Sequence, residues 1–179
     1  FVEIKRALDI DPTSPQLNMV HGMVLYLARF YDRAVEELGR VVEMEPQHVL
    51  ATFYLGLAHL ESGRHEEALA LVERSAELTG NMPFFVQGIG FVHASAGRKD
   101  LARGVLARLG EMMTKVYMSP VFMALIHFRL AENDRGFEWL DKAYAEGDHW
   151  LEYIKVFPGF DGARTDPRYA ELIKTLRLE

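Results

Sequence analysis

A period of 34 residues constrains this chain more than any other feature. Gly22, Gly56, Gly90 and Ala124 stand one period apart, and so do Ala34, Ala68, Ala102 and Gly136. Leu38, Val72, Leu106 and Leu140 keep the same step, as do the turn residues Arg29, Gly63, Gly97 and Ala131. Four columns in one register without gaps mark an array of equal structural units. Each unit reads as two amphipathic helices, with apolar residues at i, i+3, i+4 and i+7. In the second unit Leu50, Phe53, Tyr54, Leu57 and Leu60 form one face, and Ala68, Leu69, Val72 and Ala76 form its partner. Small residues let the two backbones approach closely. Ser62-Gly63 ends the first helix with a residue that tolerates the left-handed conformation. Pro46 stops the preceding helix, and Ser14-Pro15 reads as an N-cap followed by proline in the first turn.

The units fall at residues 15–48, 49–82, 83–116 and 117–148. Residues 1–12 read as the second helix of an incomplete unit, and the chain as a piece of a longer protein. Phe1, Ile4 and Leu8 would pack against the helix that begins near Pro15. Residues 149–179 leave the repeat. A short helix is expected over 149–156, broken by Phe157-Pro158-Gly159. Asp166 then caps a last helix with Pro167 in its first turn and Tyr169, Leu172, Ile173 and Leu176 as its apolar stripe. Its expected role is to close the open end of the stack. The fold class expected is all-α, a right-handed solenoid of helix–turn–helix repeats with a C-terminal capping helix.

Composition narrows the function. The net charge is −6, from 20 basic and 26 acidic residues, and the basic ones are scattered. Nucleic-acid binding by this region is therefore not expected. The absence of cysteine removes disulfides, thiol nucleophiles and Cys-ligated metal sites. The most apolar run, residues 49–58, is about half the ~20 residues a membrane span requires, so no membrane role is expected. His59, His93 and His127 recur with the period. Helix axes in neighbouring units lie about 8–10 Å apart, too far for bonds of about 2.0–2.1 Å to one metal. These histidines read as packing positions, and no metal or other cofactor is expected. Gly88-Ile89-Gly90 lacks the third glycine and lysine of a phosphate loop, and Ser95 lacks the strand–turn–helix setting of a nucleophile elbow. Glu36-Glu37 and Glu66-Glu67 read as solvated faces. With no acid, base and nucleophile assembled, the chain is not expected to be an enzyme.

The pattern resembles the tetratricopeptide repeat family. The matching residues are the small residue of the first helix (Gly22, Gly56, Gly90, Ala124), the alanine of the second (Ala34, Ala68, Ala102) and the closing prolines Pro12 and Pro46. The stretch from Phe122 onward, with Phe137-Glu138-Trp139-Leu140, Trp150-Leu151, Phe160-Asp161 and Asp166-Pro167-Arg168-Tyr169, is similar to the C-terminal repeat region of bacterial multidomain signalling proteins. In that group the repeats follow a winged-helix, adenylate cyclase or protein kinase domain. The resemblance implies a non-catalytic, cytoplasmic scaffold.

In such a fold the first helices line a concave groove. Their faces offer Met19, Met23 and Tyr26, then Phe53 and Leu57, then Phe84, Gln87 and Phe91, then Val121 and Phe122. The family's carboxylate clamp uses Lys, Arg and Asn on these faces, which this groove lacks. An apolar groove suits a hydrophobic peptide or an amphipathic helix of a partner protein, with methionines that can re-pack around it. The alternatives are self-association with another copy and, less favoured, an apolar small-molecule sensor.

Overall fold

The computed structural model describes residues 2–178. Phe1, expected to pack on the first full helix, lies outside them. Among the described residues the chain is helix and turn throughout. The helices are α1 (Val2–Ile10), α2 (Pro15–Leu27), α3 (Tyr31–Met44), α4 (Val49–Glu61), α5 (His65–Leu78), α6 (Pro83–Ser95), α7 (Lys99–Met113), α8 (Pro120–Arg129), α9 (Asn133–Ala145) and α10 (Pro167–Thr175). Between α9 and α10 run two 3-10 turns, His149–Tyr153 and Pro158–Ala163.

Helices α2, α4, α6 and α8 stack directly on one another and form an inner row. Helices α3, α5, α7 and α9 each pack against the inner helix before them, and α3, α5 and α7 also against the one after. The two rows differ as their sequences require. Inner helices are apolar on nearly every side: α4 buries every residue from Ala51 to Ala58. Outer helices bury one stripe, such as Ala34, Leu38 and Val41 in α3.

The turn column has a backbone explanation. Arg29, Gly63, Gly97 and Ala131 all take positive φ, at 65°, 78°, 73° and 59°. The amide after each one, in Phe30, Arg64, Arg98 and Glu132, donates to the carbonyl of Leu25, His59, His93 and His127 respectively, each at 2.9 Å. These are helix-ending bonds made possible by a left-handed residue.

The small-residue column faces the leucine column. A Cβ built on Gly22 would stand 2.5 Å from Leu38 Cγ. On Gly56 it would stand 2.9 Å from Val72 Cγ1 and 3.1 Å from the Ala68 carbonyl oxygen, which cannot move aside. Gly56→Leu is expected to cost about 1–3 kcal/mol through overpacking. A thermal melt should show a clearly lowered midpoint; a parent-like midpoint would mean α4 and α5 do not meet at this residue.

Two sequence expectations shift. Helix α8 begins at Pro120, three residues later than the step from Pro83 requires. Ser119 accepts from the Val121 amide at 3.2 Å, and proline's missing N–H suits the first turn. The helix expected over 149–156 is only a 3-10 turn ending at Tyr153, with Asp148 accepting from the Trp150 amide at 2.8 Å. The outer helices also carry the period further than the sequence columns did. Helices α3, α5, α7, α9 and α10 begin at 31, 65, 99, 133 and 167, one period apart each time. Residues 149–163 thus stand where an inner helix of a further unit would be.

Candidate functional site

The inner row presents its face to residues 149–163, and this segment lies across it as a strap. Trp150 packs on Phe84 and Phe122, each with ring centroids 5.4 Å away. Phe157 meets Tyr26 edge-on at 6.0 Å, and Phe160 meets Phe128 at 6.1 Å. Gly159 is pressed against α6 and α8: a Cβ there would stand 2.5 Å from Leu125 and 3.2 Å from Phe91. The strap therefore reaches from the fourth hairpin back to the first. Its far end is latched. Arg29 donates to Asp161 Oδ1 at 2.7 Å and Oδ2 at 3.3 Å, and to the carbonyl of Val156 at 3.0 Å. Burial alone would raise the Asp161 pKa, but hydrogen bonds from Arg29 and Arg164 outweigh it and hold the carboxyl below its usual value.

Seven of the ten groove residues read from the sequence line this contact. Phe84, Gln87, Val121 and Phe122 meet Trp150, Phe157 and Phe160 around a residual cavity of about 10 Å³. Tyr26 and Phe91 touch Phe157 and Gly159. Met23 lines a larger gap of about 160 Å³ with Leu27, Tyr54, Trp150, Tyr153 and Phe157. The other three belong to the core. Met19 and Leu57 are buried, and Phe53 is fully enclosed between α4 and α6, against Phe84 and Phe85. These first helices thus offer a floor beneath the strap rather than an open apolar channel. Apolar periodicity alone cannot separate residues facing the neighbouring helix from residues facing the concave side.

A polar bridge lies on the same side. Arg129 at the end of α8 pairs with Glu61 at the end of α4, two hairpins away, and its guanidinium covers the Phe91 ring at 4.5 Å. Burial pushes the Glu61 pKa up, and Arg129 opposes the shift. Tyr26 is wholly buried beside this pair; burial, with Glu61 next, pushes its phenol well above the ordinary value. The signals the sequence reading missed were Arg29 in a column otherwise held by small residues, and the aromatic run Trp150, Tyr153, Phe157 and Phe160.

The histidine column stands in the last turns of α4, α6 and α8. His127 Nδ1 lies 2.9 Å from Glu132 Oε2, while burial first, and the nearby Arg64 or Arg98 second, lower the pKa of His59 and His93. Among the described residues no group of three or more His, Asp or Glu is placed to hold a metal ion. A lowered folded-state pKa means the unfolded chain binds protons more readily. The stabilisation from neutral His59 and His93 is therefore present above about pH 6.5 and lost as pH falls through their folded values. Urea midpoints should drop between pH 7.5 and 5.5, and drop less in a His59→Phe, His93→Phe variant. Glu61, whose pKa is raised, acts in the opposite sense in both proteins, so the difference reports the histidines.

The family model for the tetratricopeptide repeat matches residues 19–83. The fold is that of a tetratricopeptide-repeat solenoid. A thermophilic tetratricopeptide-repeat protein of Thermus thermophilus, TTC0263, superposes with a TM-score of 0.66 at 17% identity, covering 96% of this chain and 87% of that one. YrrB, a tetratricopeptide-repeat protein with an unusual peptide-binding site, superposes at 0.53 with 13% identity, covering 96% and 89%. Anaphase-promoting complex subunit 3 of Schizosaccharomyces pombe is 24% identical over 158 residues, which is 86% of this chain but 24% of that protein. The chain thus spans about a quarter of that relative's length. Tetratricopeptide-repeat proteins generally mediate protein–protein interaction and are generally non-catalytic scaffolds. No helix among the described residues is long and apolar enough to cross a membrane.

Proposed function

We propose that this chain is a protein-interaction module whose concave face receives an apolar, peptide-like segment, and that it serves as the regulatory part of a larger cytoplasmic signalling protein. The observation that supports the groove reading is the strap. Residues 149–163 lie on α2, α6 and α8 through aromatic side chains and one carboxylate, the way a bound peptide uses a few anchors. A face that holds such a segment in cis has the chemistry to hold one in trans. The signalling context rests on the resemblance of the region from Phe122 onward.

The test is a random peptide library panned against the whole chain, with hydrogen exchange locating the selected peptides. Protection is expected on α2, α4, α6 and α8. Phe84→Ala should weaken the selected peptides by roughly 2 kcal/mol, the size of an interface anchor. Leu101→Ala, on the exposed side of α7, should leave them unchanged. Peptides that protect α5 and α7 and ignore Phe84 would place the interaction on the outer row.

A further inference from the structure

We infer that residues 149–163 are a built-in competitor for the concave face, and that the partner is a peptide segment presenting aromatic side chains followed by a carboxylate, which displaces them. The inference rests on the groove reading above and names the partner's chemistry.

Charge and backbone geometry argue first. Arg29 offers a fork that holds the Asp161 carboxylate and the Val156 carbonyl together. It does so from a left-handed φ of 65°, at a turn position where two of the other units carry glycine. The last unit carries Ala131 there, and only Arg29 places a long cationic side chain at the groove's end, which the strap uses. The same fork would hold a carboxylate supplied in trans.

The anchors argue second. Trp150 and Phe157 supply the aromatic contacts to Phe84, Phe122 and Tyr26, so they define the spacing a ligand must reproduce.

Accessibility at the strap's edge argues third. The strap leaves about 160 Å³ open between its own Trp150, Tyr153 and Phe157 and the groove residues Met23, Leu27 and Tyr54. Asp161 is exposed, its side chain 44% accessible, so the latch is open to a competitor. The strap backbone is 3-10 turn, with poorer hydrogen-bond geometry than a full inner helix. A partner that fills the gap and repeats the anchors gains contacts the strap does not make.

The probe is a fluorescein-labelled peptide of residues 148–165, titrated into the full chain and into two strap variants, Asp161→Arg and the double variant Trp150→Ala, Phe157→Ala. The double variant should bind the peptide at least about tenfold more tightly than the parent, and Asp161→Arg up to about fivefold more tightly, because a competing closed state has been depopulated. Moving Asp161→Arg into the peptide should abolish the gain, and Arg29→Glu in the otherwise unaltered chain, which sets a like charge against the chain's own Asp161, should restore binding of that altered peptide. The Asp161→Arg chain changes only an exposed side chain and keeps the test intact if the double variant does not fold. Equal affinity for the parent and the variants, or no binding to any of them, overturns the inference. Hydrogen exchange separates the two readings. Peptide seated on the inner helices with residues 149–163 still protected overturns displacement alone. Peptide seated on the outer row overturns the groove reading as well.

Discussion

Phe53→Glu is expected to unfold the chain at 25 °C or leave it close to unfolding. Phe53 is completely buried, with Phe84 and Phe85 at 5.2 and 5.3 Å and Tyr54 at 5.7 Å. Its ring lies against bare α6 backbone, since a Cβ on Gly88 would stand 2.6 Å from it. Removing a buried aromatic costs about 3–5 kcal/mol. A carboxylate in its place has no cation among these ring neighbours, which adds several kcal/mol or forces protonation. Against a typical domain stability of about 5–15 kcal/mol this is decisive. Far-UV circular dichroism with urea should show helix loss in little or no denaturant. Because α4 and α6 belong to adjacent hairpins, the loss should spread from the middle of the stack in both directions. A parent-like urea midpoint would mean that the ring is not enclosed between these helices, and would return Phe53 to the groove surface where periodicity alone had put it.

Phe160→Ala is expected to cost about 3–5 kcal/mol although it lies outside the repeats. The side chain is 1% exposed and packs on Phe128 of α8 beside the Gly159 contact with Leu125 and Phe91. The effect should extend beyond the last hairpin. In a simple solenoid each unit touches only its neighbours, and stability is nearly a sum along the stack. Here the strap ties α8 to α2 through Phe157 and Arg29, so its loss should uncouple the first hairpin from the fourth. Hydrogen exchange in Phe160→Ala should therefore rise in α2 as well as α8. A rise confined to α8, α9 and α10 would show that the strap seals the end of the stack without bracing its inner face.

The half-exposed Arg29–Asp161 pair is of a different order, since exposed ion pairs contribute about 0–1 kcal/mol. The ion pairs between hairpins on the outer side, Arg64 with Asp32 and Arg98 with Glu66, belong to the same class. Apolar contacts hold the strap down, and the latch sets where it sits.

Much of the fold was legible because the repeat repeats its physics. Gly22 and Leu38, or Gly56 and Val72, are partners across one hairpin, so two columns found separately in the sequence are two sides of one contact. The turn column reports left-handed backbone, and Arg29 and Ala131 share it with Gly63 and Gly97 because the geometry is needed whichever residue supplies it. The cap at Asp166 was readable for a local reason as well: its carboxylate accepts from the Arg168 amide at 3.0 Å, two residues on.

The groove was legible only in part. Helical periodicity says which residues are apolar, and an inner helix is apolar on nearly all sides. It could not say that Phe53 faces α6 while Phe84 faces the strap. The tail hid more. Asp166, Pro167 and the stripe from Tyr169 pointed to an end cap, and α10 does lie against α9, where Arg168 covers the Phe137 ring at 4.3 Å and pairs with Asp134 at 2.9 Å.

By itself, then, the sequence determined the helices, their pairing into hairpins and the turns between them, because each depends on residues within one period of one another. Only the tertiary structure decided that residues 149–163 lie along the inner face. That contact joins Arg29 to Asp161 and Tyr26 to Phe157, well over a hundred residues apart, and no local propensity encodes it. It follows from the way four stacked hairpins bring a continuous apolar face within reach of an aromatic segment that has too little regular backbone of its own to stand free in water.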